Sequence, residues 1–410
     1  MDETVATTRG VRPPAFALLY MAWGLCSGFL TIALGYELAQ AGVSVAAIAG
    51  LVGLFLFPQS AKLLIGPVID VSLTVKRWYW LATFATLAAL AGIAFTPLVP
   101  ASMPLLSALS LLLGIATAVS ATATTALMAQ TNPISERGAV SGWQQAGQLG
   151  GQGLGGGAGL WLAQHGAGIE GAALLMAAII LVAALPLRRV RLPVRAAGLK
   201  LGTQFRALGR TLLEIVRTRK GSLALMLSMT PVGLAASANL WSAVADDWGA
   251  SADLVALTTG ALGGVASIPG ALVGGYLADR YPRRAVFIGC GFVSTIGLLV
   301  MALAPHTPGW FGTMVLVNAM LTGAAWAAVG AVCFECLGSV GAATMGAAFS
   351  SAANLPVPVV TMIVGAVQTR YGSTTMLLAE AGIGIASLAL ACGVIWLSRP
   401  APGINPHPVT

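Results

Sequence analysis

Stretches of apolar residues long enough to cross a membrane recur along this chain from Ala15 to Leu397. A helix needs about 20 such residues to span roughly 30 Å of hydrocarbon. Only 8% of the 410 residues are charged, whereas about 25% are charged in a soluble domain. In lipid every backbone polar group must be bonded within the protein, and uninterrupted apolar segments suit helices better than the alternating strands of a barrel. We therefore expect an all-α membrane protein.

The apolar segments predict twelve transmembrane helices, separated by the clusters of glycine and proline that are typical of turns. Their predicted ranges are approximately 15–40, 45–71, 78–97, 102–130, 136–164, 168–187, 221–246, 253–279, 284–304, 309–336, 341–369 and 372–398.

The basic residues predict how these helices are oriented. On the twelve-helix topology Arg12, Lys76, Arg77 and the group from Arg188 to Lys220 fall on one side, and Arg370 is the only clear basic residue opposite. An excess of Lys and Arg marks cytoplasmic loops, so we expect both termini in the cytoplasm and the chain in an inner membrane. We expect the basic linker to lie against anionic lipid headgroups. The net charge of +8 then reflects membrane topology, and nothing else in the chain suggests a nucleic-acid partner.

The basic linker divides the chain into two related halves. "LIGPVIDVSLTVKR" at 64–77 aligns with "VGGYLADRYPRR" at 273–284, which pairs Gly66 with Gly275 and Asp70 with Asp279. A repeat of this kind predicts two pseudo-symmetric six-helix bundles. The predicted parts are an N-terminal bundle at 1–187, a basic cytoplasmic linker at 188–220, a C-terminal bundle at 221–398 and a disordered tail at 399–410.

The second copy of the repeat resembles the signature loop of the major facilitator superfamily. The residues that carry the resemblance are Gly275, Asp279, Arg280, Arg283 and Arg284. The first copy keeps Gly66 and Asp70, but Val71 stands where an arginine is usual. The resemblance implies secondary transport by alternating access, with these loops controlling the conformational change. We expect the glycines to permit close helix approach and the arginines to fix the loops, the alternative being an ordinary charged turn.

A closer resemblance lies in the second helix. The order Pro58, Lys62, Pro67 and Asp70 is similar to that of the AmpG-type permeases, whose relatives include acetyl-CoA transporters and siderophore permeases. The stretch 136–166, which contains the predicted fifth helix, also resembles this group. The aromatic residue expected before Pro67 is absent. The resemblance implies proton-driven import of a bulky, partly anionic solute such as an anhydro-muropeptide.

Lys62 is the most informative single residue, because it places an ammonium group inside an apolar segment. If Asp70 marks the inner boundary, Lys62 lies roughly 12 Å deeper at ~1.5 Å per residue. At such a depth a lysine should face a cavity, a carboxylate or free carbonyls. Pro58 predicts a bend close by, because proline frees a carbonyl one turn earlier. We expect Lys62 to recognise the solute or gate its path; the alternative is a structural lysine.

Further polar residues in the predicted helices are candidates for the same site. Gln144 and Gln148 share a face of the fifth helix with a glycine stripe, which indicates either solute contact or tight helix packing. Asn354 precedes Pro356 and Pro358, and this group predicts a hinge or a wall of the site. These residues are proposed to hydrogen-bond the solute.

Three residues near the other membrane surface complete the candidate set. Glu37 could carry the coupling proton, because a carboxyl group can take up and release one; the alternative is an acid exposed to the outer vestibule. Tyr36 and Trp241 could stack on a ring of the solute, although core packing and interfacial anchoring are commoner uses of aromatic residues.

No pattern in the chain indicates a cofactor, a metal site or an enzyme. Cys333 and Cys336 form a lone C-x-x-C without the second pair that a zinc site needs. We expect a monomer whose partners are the solute, protons and lipids. The alternative functions are uptake of a siderophore or metal complex, efflux of an amphipathic compound, and a membrane sensor or assembly factor that does not transport.

Overall fold

The structure is a computed structural model of the chain, and it describes residues 12–132, 137–190, 201–230, 236–334 and 342–397. The predicted tail 399–410 and Cys336 lie outside the described residues. All regular secondary structure in the described ranges is helical.

In the described ranges twelve membrane-spanning segments, numbered α1 to α12, form two six-helix bundles. They are α1, 13–40; α2, 45–71; α3, Val75–Ala94; α4, Met103–Thr131; α5, 137–162; α6, Gly168–Ala184; α7, Arg219–Ser228 with Ala236–Trp248; α8, 252–280; α9, Arg283–Leu303; α10, Pro308–Phe334; α11, 342–371; and α12, 372–397. A further helix, Leu201–Arg217, joins the bundles and is called the linker helix. The near face is the membrane surface at which α1 begins, and the far face is the surface at which it ends.

Two pairs of consecutive spans are joined by very tight turns at glycine. Helical stretches of 43 residues, Ala146–Arg188, and 49 residues, Ala348–Trp396, each contain two spans. The first reverses at Gly166 and Gly168, with φ of 101° and 62°, and the second at Gly372, with φ of 82°. Only glycine adopts these left-handed angles without a steric cost, so it can end one span and begin the next directly.

Three spans are interrupted near the middle of the membrane. The two parts of α2, Val45–Ser60 and Lys62–Val71, meet at an angle of 52°. At Ala61 the amide bonds the carbonyl of Pro58 at 3.1 Å, which tightens the turn and ends the regular ladder. In α11 the helix stops at Asn354 and resumes at Pro356. The second part of α7, Ala236–Trp248, is a 3₁₀ helix.

The buried apolar side chains form a single cluster in the far half of the molecule and two separate clusters in the near half. The far cluster draws residues from both bundles, including Phe29, Val52, Trp241 and Val364. One near cluster contains N-terminal residues such as Phe16 and Tyr79. The other near cluster is made mainly of C-terminal residues. Apolar packing contacts therefore join the bundles mainly through their far halves.

Polar contacts and close backbone packing reinforce this closure of the far half. The Gln40 side chain donates to Asp246 at 2.7 Å, between α1 and α7. The Ala46 amide donates to Thr369 Oγ1 at 2.8 Å, between α2 and α11. Gly157 of α5 lies against the backbone of Ala256 and Gly260 in α8.

The linker helix spans the two bundles at the near face. Leu208 and Ile215 are its buried residues, and it packs against 62–71 of α2 and against Ala342–Asn354 of α11. Residues 191–200 of the predicted linker lie outside the described ranges. The exact boundaries of linker and bundles stay a prediction.

Candidate functional site

The bend in α2 places Lys62 at the start of a new helical segment, partly buried within the membrane. Its Nζ lies 5.5 Å from the centre of the Trp23 ring in α1. An aromatic face attracts a cation at this distance but leaves its charge uncompensated. No carboxylate of the described residues forms a salt bridge with Lys62. Lys62 therefore offers a positive charge to an anion.

Trp23 is held in position beneath the ammonium group by a second aromatic ring. It stacks on Phe55 of α2, with ring centres 5.2 Å apart and planes inclined by 14°. Both rings are buried. Because Phe55 packs against α4 at Gly114, the position of Trp23 is fixed by three helices.

The breaks in α2 and α11 meet across the two bundles. The Leu63 amide, in the first turn after the bend, donates to Ser351 Oγ of α11 at 3.1 Å. This bond satisfies one of the free amides that every helix start leaves. Asn354 lies one turn further along α11, and its Nδ2 donates to Ser350 O of its own helix at 2.7 Å. Its proposed role at the solute stays a prediction, as does that of Pro358, which is buried against α2 beside Gly53.

Gln59 is a candidate residue that sequence reasoning missed. It is 2% exposed, and neither Nε2 nor Oε1 has a hydrogen-bond partner in the described part of the chain. The adjacent Ser60 hydroxyl is likewise buried and unpartnered. Leaving a buried amide unpaired costs about 1–3 kcal/mol. A signal was available in the sequence, because Gln59 is the only amide side chain in the apolar run that contains Lys62.

The glycine stripe of α5 packs backbone against backbone on α1. A Cβ added at Gly147, Gly151 or Gly155 would overlap the backbone of α1, which supports the packing interpretation of this pattern. Gln148 lies beside Gly24 and is thus level with Trp23. Gln144 is buried about one turn nearer the near face, and its Nε2 has no partner among the described residues. Solute contact by either glutamine stays a prediction.

Tyr36, Glu37 and Trp241 lie on the far side of Lys62, in the region where the bundles close. Gln164 Nε2 donates to Glu37 Oε1 at 2.5 Å, which ties α1 to the turn that follows α5. Trp241 is 2% exposed, and its Nε1 has no partner in the described ranges. Tyr36 is also buried. These three residues do not contact Lys62, so the candidate residues form two groups at different depths.

The two signature loops lie at the near face, and the structure corrects one expectation about them. A Cβ at Gly66 or Gly275 would meet no described atom within 4 Å, so neither glycine permits a close helix approach here. That approach is made instead by Gly270 and Gly274, against Met320 and Ala324 of α10.

Two arginines of the second loop have described contacts. Arg283 Nη1 donates to the Ala331 carbonyl of α10 at 3.4 Å, and the Arg280 guanidinium lies 4.6 Å from the Tyr276 ring centre. Asp279 is exposed, whereas Asp70 and Arg284 each have a partner. The role of these residues in gating stays a prediction.

Glu380 is a second residue that the sequence left unexplained. Its carboxylate is buried in α12 and accepts hydrogen bonds from the Ala236 and Ser237 amides, at 2.5 and 2.9 Å. Those amides begin the 3₁₀ part of α7, where the first turn has no helical acceptors of its own. Glu380 therefore caps an interrupted membrane helix.

The sequence and the fold can now be compared with known proteins. The profile described as Major Facilitator Superfamily matches residues 14–227, just over half of the chain. A comparison with curated protein sequences finds no match.

Several solved transporter structures are similar in fold. A variant of the nucleoside transporter NupG has a TM-score of 0.69 at 15% identity, covering 93% of this chain and 98% of that chain. The D-xylose–proton symporter has a TM-score of 0.71 at 17% identity, covering 94% and 98%. A bacterial homolog of the human lysosomal transporter Spinster, solved inward-facing and unoccupied, has a TM-score of 0.71 at 16% identity, covering 95% and 98%. At these identities the likeness concerns the fold.

Proposed function

This chain belongs to the Major Facilitator Superfamily, and from that premise we propose that it is a proton-coupled importer of a bulky, partly anionic solute. An anhydro-muropeptide is the example that the AmpG-type resemblance suggests. Transport proceeds by alternating access, in which the two bundles rock about a site between them.

The observation that carries this proposal is the uncompensated charge of Lys62. An ammonium group within the membrane is costly unless an anion or a dipole stabilises it. Its described neighbour is the Trp23 ring, which stabilises a cation only in part. A carboxylate or phosphate of the solute would complete the pair, and the Trp23 face would remain available to an adjacent apolar group.

An unpaired amide close to Lys62 supports a solute that also carries neutral polar groups. Gln59 lies one turn before Lys62, is buried, and has no partner in the described ranges. A ligand with several amides or hydroxyls would pair such a group at little desolvation cost, because it is already removed from water.

The arrangement of the core supports one direction of access. The far half is closed by a shared cluster, whereas the near half has two separate clusters. On the topology in which the near face is cytoplasmic, this state is inward-facing. Glu37 then lies on the closed, outer side with Gln164 as its partner, a place where a carboxylate could take up a proton when the far half opens.

Uptake by proteoliposomes that contain this chain alone tests the proposal. The solute panel is a radiolabelled anhydro-muropeptide, a ferric siderophore and a cationic amphipathic drug, each measured with and without an inward proton gradient. We expect gradient-dependent uptake of the anionic solute, at least tenfold weaker in Lys62→Met, because a charged hydrogen bond contributes about 1.5–3 kcal/mol. Arg370→Met, which removes an exposed cation at the far face, is the matched control.

The other outcomes separate the alternatives. Siderophore uptake that depends on Lys62 would make the siderophore, rather than the muropeptide, the transported solute. Export of the drug would make the protein an exporter rather than an importer. Equal uptake by wild type and Lys62→Met would remove the lysine from recognition. Uptake that does not depend on pH would rule out proton coupling. Uptake that is unchanged in Glu37→Gln would rule out Glu37 as the proton carrier. No flux and no binding of any solute would favour a sensor or an assembly factor.

A further inference from the structure

A groove at the near face lies between the start of α3 and the residues that follow α6, outside the proposed solute site. Its volume is about 340 Å³. Three cationic residues, Lys76, Arg77 and Arg188, line one part of it. Three large apolar residues, Trp80, Leu81 and Phe84, line another part. The groove is therefore mainly apolar and is flanked by cationic side chains.

The three cationic residues line the same groove without an acidic partner among the described residues. Lys76 Nζ donates to the Arg188 carbonyl at 3.4 Å, and the Arg188 guanidinium lies 5.5 Å from the Trp80 ring centre. The lining contains no acidic residue, and no carboxylate of the described residues forms a salt bridge with any of the three. An anion bound in the groove would therefore gain a favourable interaction with cationic side chains that no described carboxylate neutralises.

The apolar part of the groove follows α3 into the hydrocarbon. From Lys76 to Phe84 the helix rises about 12 Å, which extends from the headgroup region into the acyl region. Leu81 and Phe84 are 52% and 58% exposed. The Trp80 and Phe84 rings lie 5.8 Å apart and form a continuous apolar wall. A ligand that fills the whole groove must join an anionic group to a hydrocarbon chain.

We propose that this groove binds one anionic phospholipid from the near-face leaflet. Its phosphate lies among Lys76, Arg77 and Arg188, and one acyl chain lies along Trp80, Leu81 and Phe84. A free phosphate would use only the cationic part. A zwitterionic lipid would bring its own cation towards three others, so the groove should discriminate by headgroup charge. The bound lipid would join the end of the N-terminal bundle at Arg188 to α3.

Native mass spectrometry of the purified full chain tests the proposal. The probes are phosphatidylglycerol, phosphatidylcholine with the same acyl chains, and inorganic phosphate as a competitor. We expect one phosphatidylglycerol to bind at least tenfold more tightly than phosphatidylcholine. Each Lys or Arg near the membrane surface raises the affinity for an anionic lipid roughly fivefold, and three such residues line the groove. The triple variant Lys76→Gln/Arg77→Gln/Arg188→Gln should lose this preference.

A second cationic triple on the same face is the matched control. Arg206, Arg210 and Arg217 are exposed on the linker helix, and their change to Gln should leave the preferred site intact. Loss of the preference in both triple variants would indicate general attraction to the basic surface and would overturn the proposal. Displacement by inorganic phosphate alone would assign the groove to a free anion.

A measurement on the unmodified chain guards against a misfolded variant. Phosphatidylglycerol labelled with a spin quencher in its acyl chain should reduce tryptophan fluorescence in wild type more than labelled phosphatidylcholine does. Trp80→Phe should remove that difference while keeping the groove apolar. Equal quenching by the two lipids, or a difference that survives Trp80→Phe, would contradict lipid binding at this groove.

Discussion

Glu380 shows how a single buried side chain can hold two distant helices together. It lies in α12, and its two amide partners lie 144 and 143 residues earlier, at the start of the 3₁₀ part of α7. Hydrogen bonds from backbone amides to a carboxylate are roughly twice as strong as neutral ones. In lipid no water can replace them, so this residue should contribute more than an exposed acid does.

Replacing Glu380 by alanine should destabilise the protein, because the Ala236 and Ser237 amides would lose their acceptor. Each buried amide left unpaired costs about 1–3 kcal/mol. We expect the melting temperature in detergent to fall by several degrees, with a smaller fall for Glu380→Gln, whose amide oxygen can still accept one bond. Glu170→Ala, which removes an exposed acid, is the control and should change little. Equal melting temperatures for Glu380→Ala and wild type would rule out the capping role.

The sequence could identify some of the candidate residues and not others. Lys62 was recognisable, because a charge in an apolar segment is rare and informative wherever it occurs. Gln59 gave a weaker signal as the only amide in that apolar run, and its importance became clear only from its burial and its lack of a described partner. Glu380 was visible as an acid, but its function depends on a contact between helices that no local pattern encodes.

At the scale of single helices, α5 and α1 form the tightest pair of the N-terminal bundle. Glycines at intervals of four residues remove the side chains that would separate the two backbones. Small residues allow dispersion contacts between helices in a membrane, where the hydrophobic effect no longer drives association. The stripe is therefore a structural element of the bundle, and it also sets how far Trp23 lies from the glutamines of α5.

Two glycines of the same helix allow this interpretation to be tested. A Cβ at Gly155 would overlap the backbone of Leu25, whereas a Cβ at Gly150 would meet no described atom within 4 Å. We expect Gly155→Ala to reduce stability by about 1–3 kcal/mol, because the helices must separate. Gly150→Ala should be neutral or slightly stabilising, because alanine favours the helix. The melting temperatures of both variants in detergent provide the measurement; the same loss in both would contradict close packing at Gly155.

Prolines predicted the presence of helix breaks better than their position. In α2 the bend falls at Ala61, three residues after Pro58, where an i→i+3 bond replaces the regular ladder. In α11 it falls at Leu355, immediately before Pro356, in agreement with the restriction that proline places on the preceding residue. The 3₁₀ part of α7 carries no proline within Ala236–Trp248, and the sequence predicts an unbroken helix over 221–246.

At the scale of the whole molecule, the two bundles are held by contacts in the far half. Gly157 and Gly260 bring the backbones of α5 and α8 together across the bundle interface. A change in access must separate these helices and build a comparable interface in the near half. The relative population of the two states therefore depends on a difference of a few kcal/mol between the free energies of the far-half and near-half interfaces.

Gly260→Leu should shift this balance by preventing closure of the far half. Its side chain would overlap the backbone of Gly157, and a cost of about 1.4 kcal/mol already changes the ratio of two states tenfold. Spin labels at Leu73 and Tyr281, in corresponding near-face loops, would report the change as a shorter distance. Gly289→Leu is the control, since a Cβ there meets no described atom within 4 Å. An unchanged distance in Gly260→Leu would show that this contact does not set the conformation.

The number of spans and their division into two bundles followed from hydropathy and from the basic linker. Which half of the interface is closed did not follow, because the same sequence must stabilise more than one arrangement of the bundles. The linker helix was likewise predicted only as a basic segment. Its apolar residues Leu208 and Ile215 are seven positions apart and therefore lie on one face of the helix. Their burial became visible only once the neighbouring spans were in place.

The placement of Lys62 at the bend of α2 also has an electrical consequence. When an anionic group of the solute pairs with it, the loaded protein carries no net charge at that depth, whereas the empty protein keeps one positive charge there. Moving an elementary charge through the full membrane potential changes its energy by about 2.3 kcal/mol per 100 mV. For Lys62 the energy is the part of this value that corresponds to the fraction of the potential its ammonium group crosses. The voltage dependence that Lys62 contributes would then fall on the resetting of the empty carrier, and the charge left on Glu37 after proton release would oppose it in the same step.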